Sequence, residues 1–178
     1  MEEKVSVWKA NITNGLIFGL IYIVYTLIMY FLDLSLNKTQ GYVFLAVELI
    51  ILYLMVKSYR DSYLHGYIKY GQSVGAGVVI FLYFSVIAAI FTYILYKFID
   101  PGLIDKQLAM AEEILSRRGM NQEMIDASMK IQKKIMIPEI IAPASIINNM
   151  LLGTIMSLLV SIFTRKEGNP LIDIPENQ

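Results

Sequence analysis

The chain has 178 residues, 56% of them hydrophobic and 17% charged, with 15 Lys and Arg against 15 Asp and Glu. A soluble domain carries more charge and fewer apolar residues, and a formal net charge of zero points neither to nucleic acid nor to an acidic partner. With no cysteine and His65 as the one histidine, disulfides, thiolate catalysis, cysteine metal sites and a multi-histidine site within one chain are excluded.

Four apolar runs dominate what remains: Ile12 to Leu32, Tyr42 to Val56 with Glu48 inside it, Gln72 to Tyr96, and Ile140 to Phe163. At 1.5 Å per residue such runs cross a hydrocarbon core of about 30 Å. The expected fold is all-α: a four-span transmembrane helix bundle, one integral membrane domain over residues 1–178, with an amphipathic helical hairpin between spans 3 and 4. The expected spans are about 12–34, 41–59, 72–97 and 141–164, the hairpin about 100–139, and the flexible tail 167–178.

The start, MEEKVSVWKAN, does not have the form of a cleavable signal, because the run after it is too long and no A-x-A site follows. Trp8 is expected at the lipid interface. Gly15 and Gly19 stand four apart on one face of the first span, a spacing that admits a second backbone; glycine merely tolerated in a membrane helix is the plainer reading beside it. Residues 33–41 make a tight connection. After the second span, Tyr59, Tyr63, Tyr67 and Tyr70 form a helical stripe suited to the headgroup level, with Gly66 and Gly71 as breaks. Gly71, Gly75 and the nearby Gly77 at the head of the third span suggest close packing.

Asp100 and Pro101 stop the third span. A first hairpin helix follows over about Leu103 to Arg118, with Ile104, Leu108, Ala111 and Leu115 on one face and Gly119 as its C-terminal cap. Asn121 is the expected N-cap of a second, about Gln122 to Ile137, lined by Met124, Ser128, Ile131 and Ile135 and widened by Ile125 and Met129. Pro138 ends it. The fourth span starts near Ala142 with Pro143 in its first turn, where proline is tolerated. Gly153, Ser157 and Ser161 then give it a small-residue face.

Four spans place both termini on one side. Lys4, Lys9, Lys57, Arg60, Lys69, Arg165 and Lys166 gather there in short segments, seven against eight on the other side (Lys38 and seven in the long hairpin), so the raw totals do not decide the orientation. Weighting short loops over long ones puts both termini in the cytoplasm.

Several short motifs, in order, resemble a known family: Asn14-Gly15 opening the first span, Tyr59-Arg60-Asp61 after the second, and Gly71-Gln72 before the third. Asp100-Pro101-Gly102 after it, the stretch GMNQEMIDASMKIQKKIM, and a fourth span with Gly153 that ends in Arg165-Lys166 complete the pattern. Together they resemble the four-helix bacterial membrane family called domain of unknown function 4199, over nearly the whole chain. The resemblance implies the fold, a bacterial source and the inner membrane, and it implies no catalytic residue.

Glu48 is the costly residue, at roughly 2.5–3.5 kcal/mol for an acid inside a span. Depths counted along the spans bring Asn148, Asn149, Thr26 and Thr92 to about its level, some 6–11 Å below the outer boundary. The asparagine amides are suitable donors to its carboxylate, so Glu48 is expected as a pin between the second and fourth spans. Gly15, Gly19, Gly71, Gly75, Gly153 and Ser157 are the expected packing positions. The spans hold no paired acids, histidine cluster or nucleophile–base pair, so no enzymatic activity, metal or cofactor is expected. Asp100 with Glu139 is the nearest thing to a carboxylate pair, and helix capping accounts for both. The expected function is that of a structural or accessory membrane protein, whose partners are the bilayer and a second copy or another membrane protein. The alternative is a small oligomeric transporter or proton conduit that uses Glu48.

Overall fold

The computed structural model of the protein describes residues 6–167. The expected tail lies outside the described residues but for Glu167, and so does Lys4. Among the described residues there are six α-helices: α1 (Val7–Phe31), α2 (Lys38–Tyr63), α3 (Tyr70–Ile94), α4 (Gly102–Arg117), α5 (Gln122–Ile135) and α6 (Pro138–Thr164). α1, α2, α3 and α6 are long and apolar enough to cross a membrane. Their outward faces carry what lipid requires: Leu16, Leu20, Val24 and Ile28 on α1, and Ile147, Leu151, Ile155 and Ile162 on α6, are all exposed. A stripe of large aliphatic side chains at helical spacing on the outside of a bundle is stable only against hydrocarbon. The protein is a multi-pass membrane protein.

α3 is the central helix. Half of its apolar window is buried, against 17% for α1 and α2 and 28% for α6. α1 and α6 pack along it, and α2 lies across the seam, touching all three more lightly. The main core is made by Phe18 of α1, Leu52 and Val56 of α2, Ile80, Phe81, Phe84 and Ala88 of α3, and Met156 and Val160 of α6. Two pairs of glycines set the helix spacing. A Cβ at Gly15 would overlap Tyr83, and one at Gly19 would overlap Ile87, so α1 rides on α3 through its GxxxG face. A Cβ at Gly153 would strike the Phe81 ring, and one at Gly77 would strike Ser157, so α3 and α6 approach through reciprocal notches. With lipid outside, such close van der Waals packing is the main force available to join helices.

Several element ends differ from expectation. The tyrosine stripe is divided: α2 continues to Tyr63, Tyr59 is buried against Ala10, Ile68 and Ala76, and Tyr63 and Tyr67 are exposed. The turn falls at His65 and Gly66, both at positive φ. Gly71 is not a break but lies in the first turn of α3, and neither Gly71 nor Gly75 has a neighbouring atom where a Cβ would stand. They face outward, and Gly77 makes the approach instead. The third span ends at Asp100 as expected, but its last residues, Leu95–Ile99, form a π-helical turn. Pro138 begins α6 rather than ending α5, at a first-turn position where its missing N–H costs nothing. Pro143 therefore sits inside α6 and leaves the Glu139 carbonyl without its helical donor.

The hairpin caps form as the residue types require. Gly119 has φ +75°, and Asn121 accepts from the Met124 backbone N–H at 2.9 Å. Its core is Leu108, Ile125 and Met129, flanked by Ile104, Leu115, Met120 and Met136. The inward face of α5 is thus the Ile125 and Met129 face. Met124, Ile131 and Ile135, expected to line the apolar face that Ile125 and Met129 widen, are exposed. α5 carries apolar residues around more than half its circumference, and the pairing with Leu108 selects one side of that arc.

Candidate functional site

A cavity of about 230 Å³ opens at the end of the bundle where α1 finishes and α2 begins. α1 contributes Tyr22, Tyr25, Thr26 and Met29, and the start of α2 contributes Gln40, Gly41 and Phe44. Thr92, Leu95 and Tyr96 come from the end of α3 and its π turn, and Leu103 and Gln107 close it from α4. The π turn re-aims the last residues of the span, a common role for one wide turn at the end of a helix. The polar atoms are tied into the walls. Tyr25 Oη donates to the Gln40 carbonyl at 2.9 Å, and Gln107 Nε2 donates to Tyr96 Oη at 2.8 Å. The rings are braced against each other: Tyr25 stacks on Phe44 at 4.6 Å between centroids, and Tyr22 meets Phe44, Phe84 and Phe91 at 5.7, 5.6 and 6.3 Å.

Glu48 stands one helical turn below Phe44 on the same face of α2. It is 5% exposed and has no hydrogen-bonding partner among the described residues, nor any ion pair. The turn below it is Leu52, which is fully buried with Phe18 and Ile80. Glu48 is not among the residues that line the cavity; along α2 it stands between Phe44 in the cavity wall and Leu52 in the apolar core.

Of the expected polar layer, Thr26 and Thr92 meet in the cavity wall, and Glu48 lies beneath it. Asn148 and Asn149 do not join them. Asn148 is exposed, Asn149 is half-buried, and no hydrogen bond links either to Glu48. The reason is register. α2 meets α6 where Leu49, Ile50 and Tyr53 share an apolar groove with Leu159, Val160 and Phe163. The asparagines precede that contact by about three turns of α6. Counting depth from the first apolar residue of each span failed because α6 begins higher in the bundle than α2. The residues that sequence reasoning missed are Tyr22, Tyr25, Phe44, Tyr96, Gln40 and Gln107. Their signal was faint: aromatic and amide side chains on α1, the start of α2, the π turn after α3, and α4.

The opposite end of the bundle holds Tyr59-Arg60-Asp61, Gly71-Gln72 and Arg165-Lys166. Arg60 Nη1 donates to the Thr164 carbonyl at 3.0 Å, and Arg60 also pairs with Asp61 at 2.8 Å. Ile68 and Lys166 exchange backbone hydrogen bonds of 2.9 and 3.0 Å. Ser73 Oγ and Thr164 Oγ1 are 2.6 Å apart and buried, and the Lys166 ammonium lies 5.5 Å from the Tyr67 ring centroid. Gln72 Oε1 accepts from the Lys69 N–H at 3.1 Å, closing the start of α3. These residues staple the ends of α2 and α6 to the start of α3. At the cavity end, Asp100 and Glu139 are not a carboxylate pair. Lys106 lies 3.8 Å from Asp100, and Lys97 binds Glu139 at 2.7 Å, linking the π turn to the first turn of α6.

No curated protein and no solved structure matches the chain. Residues 13–166 match the family model described as Protein of unknown function (DUF4199), a span that runs from the first motif at Asn14 to the staple at Lys166, and the chain belongs to that family.

Proposed function

We propose that this protein is a non-enzymatic accessory protein of the bacterial cytoplasmic membrane, working with a second copy or another membrane protein. The ends of α2 and α6 and the start of α3 face the cytoplasm in this reading, and the hairpin faces outward. The basic residues of the short segments at the stapled end, Lys57, Arg60, Lys69, Arg165 and Lys166, support that orientation. One observation carries the accessory reading over transport. Beneath Glu48 the bundle is filled by Phe18, Leu52, Ile80, Phe81 and Phe84, each at most 1% exposed, so the polar cavity ends blind within one chain.

A second reading rests on Glu48. A buried acid without a cation is costly, and an oligomer that supplies a path past the apolar core would make it the coupling residue of a small transporter or proton conduit. Purified protein in vesicles with an internal pH-sensitive dye separates the two. The accessory reading expects equal proton leak from the wild type and from Glu48→Gln under an imposed gradient. A flux in the wild type that Glu48→Gln abolishes overturns it in favour of the conduit.

A further inference from the structure

The cavity has a definite chemical character. Tyr22, Tyr25, Phe44 and Tyr96 present aromatic rings, Thr26 and Thr92 add neutral hydroxyls, and no basic residue lines it. Glu48, nine-tenths buried and without a hydrogen-bonding partner among the described residues, does not line the cavity itself but is the acid one helical turn below Phe44 on the same face of α2. Aromatic faces attract cations through their quadrupoles, most of all where water is excluded. A carboxylate held away from water is stabilised by any cation brought to it. Anions are disfavoured on both counts. A neutral apolar occupant would leave Glu48 as costly as before. The volume, about 230 Å³, lies below the roughly 300–1,000 Å³ of sites that take drug-sized ligands.

We propose that this cavity is a binding site for a small organic cation of the alkylammonium class, with the ammonium caged by Tyr22, Tyr25, Phe44 and Tyr96 and Glu48 as its counter-charge. The proposal goes beyond the accessory reading and does not rest on it, because a blind site binds its ligand whether or not protons cross. An ammonium group reaches this end of the bundle either as a free solute or on a lipid headgroup such as ethanolamine, and the two share the recognition chemistry.

The test is calorimetric titration of the full chain in a maltoside detergent, which carries no ammonium of its own, with choline and with its neutral isostere 3,3-dimethylbutan-1-ol. The expected result is saturable binding of choline and at least tenfold weaker binding of the isostere. Glu48→Gln and Phe44→Leu are each expected to weaken choline by at least tenfold. Absence of saturable choline binding overturns the proposal, and so does equal binding of the isostere. The isostere comparison is made on the wild type, so it decides the matter even where a variant fails to fold. Phosphatidylethanolamine added to the micelles assigns the source in a protein that binds choline. Displacement of choline supports the site with the headgroup as occupant, and retention of choline supports it with a free cation.

Discussion

Arg60 on α2 donates to the backbone carbonyl of Thr164, the last residue of α6, 104 positions away in the chain. The last carbonyls of a helix have no internal donor, and an arginine placed there satisfies one of them while complementing the negative end of the helix dipole. Arg60→Ala is expected to destabilise the protein by about 1.5 kcal/mol, the low end for a hydrogen bond from a charged donor. Thermal unfolding in detergent measures it. Asp61→Asn is expected to do less, because Asp61 is exposed and its pairing is screened by water. A larger loss for Asp61→Asn than for Arg60→Ala would assign the motif to the ion pair instead.

Beside that contact, Ser73 and Thr164 share a buried hydroxyl pair. Losing Thr164 strands the Ser73 hydroxyl, losing Ser73 leaves Thr164 only its 3.2 Å bond to the Val160 carbonyl, and losing both leaves an apolar contact of similar shape. Ser73→Ala and Thr164→Val are each expected to cost about 1 kcal/mol, a middle value for hydrogen bonds between membrane helices. The double variant is expected to cost less than their sum. Strict additivity in the double-mutant cycle would mean that the two hydroxyls act separately.

The glycines divide into two kinds, and substitution exposes the division. Gly153→Ala drives a methyl group into Phe81 and is expected to cost about 1–3 kcal/mol, as overpacking does. Gly71→Ala meets nothing. It is expected to be neutral or to stabilise by about 0.5 kcal/mol through the lower entropy of the unfolded chain. Unfolding temperatures of the two variants, compared side by side, check both signs. Equal losses would contradict the packing seen at Gly153.

The orientation is open to direct measurement, since the chain has no cysteine and any introduced one is the sole target. Cysteine at Asn121, the exposed N-cap of α5, is expected to react with an impermeant thiol reagent on intact cells. Cysteine at Ser62, near the end of α2, is expected to react only after permeabilisation. The reverse pattern would invert the proposed orientation.

Resemblance and hydropathy together made the architecture legible. Four runs of apolar residues, Gly119 and Asn121 at the hairpin turn, and the Gly15–Gly19 and Gly153–Ser157 spacings all encode their outcome locally. A helix needs only its own length and composition to enter hydrocarbon, and a cap needs only the residue at that position. The choice between Gly71, Gly75 and Gly77 was not legible, because it depends on how far α3 rotates to meet α6.

The same limit governs Glu48. The sequence by itself determined that an acid lies within a membrane helix and that no base accompanies it, since both follow from the order of residues along one span. Only the tertiary structure decided its neighbours. The offset between two parallel helices is set by side-chain packing at Leu49, Ile50 and Tyr53 against Leu159, Val160 and Phe163, and not by where each apolar run begins. That offset leaves Asn148 and Asn149 above the level of Glu48, which stands on α2 between Phe44 in the cavity wall and Leu52 in the apolar core. A hydrophobic run states that a helix crosses the membrane, while its height relative to a neighbour is a property of the contact between them.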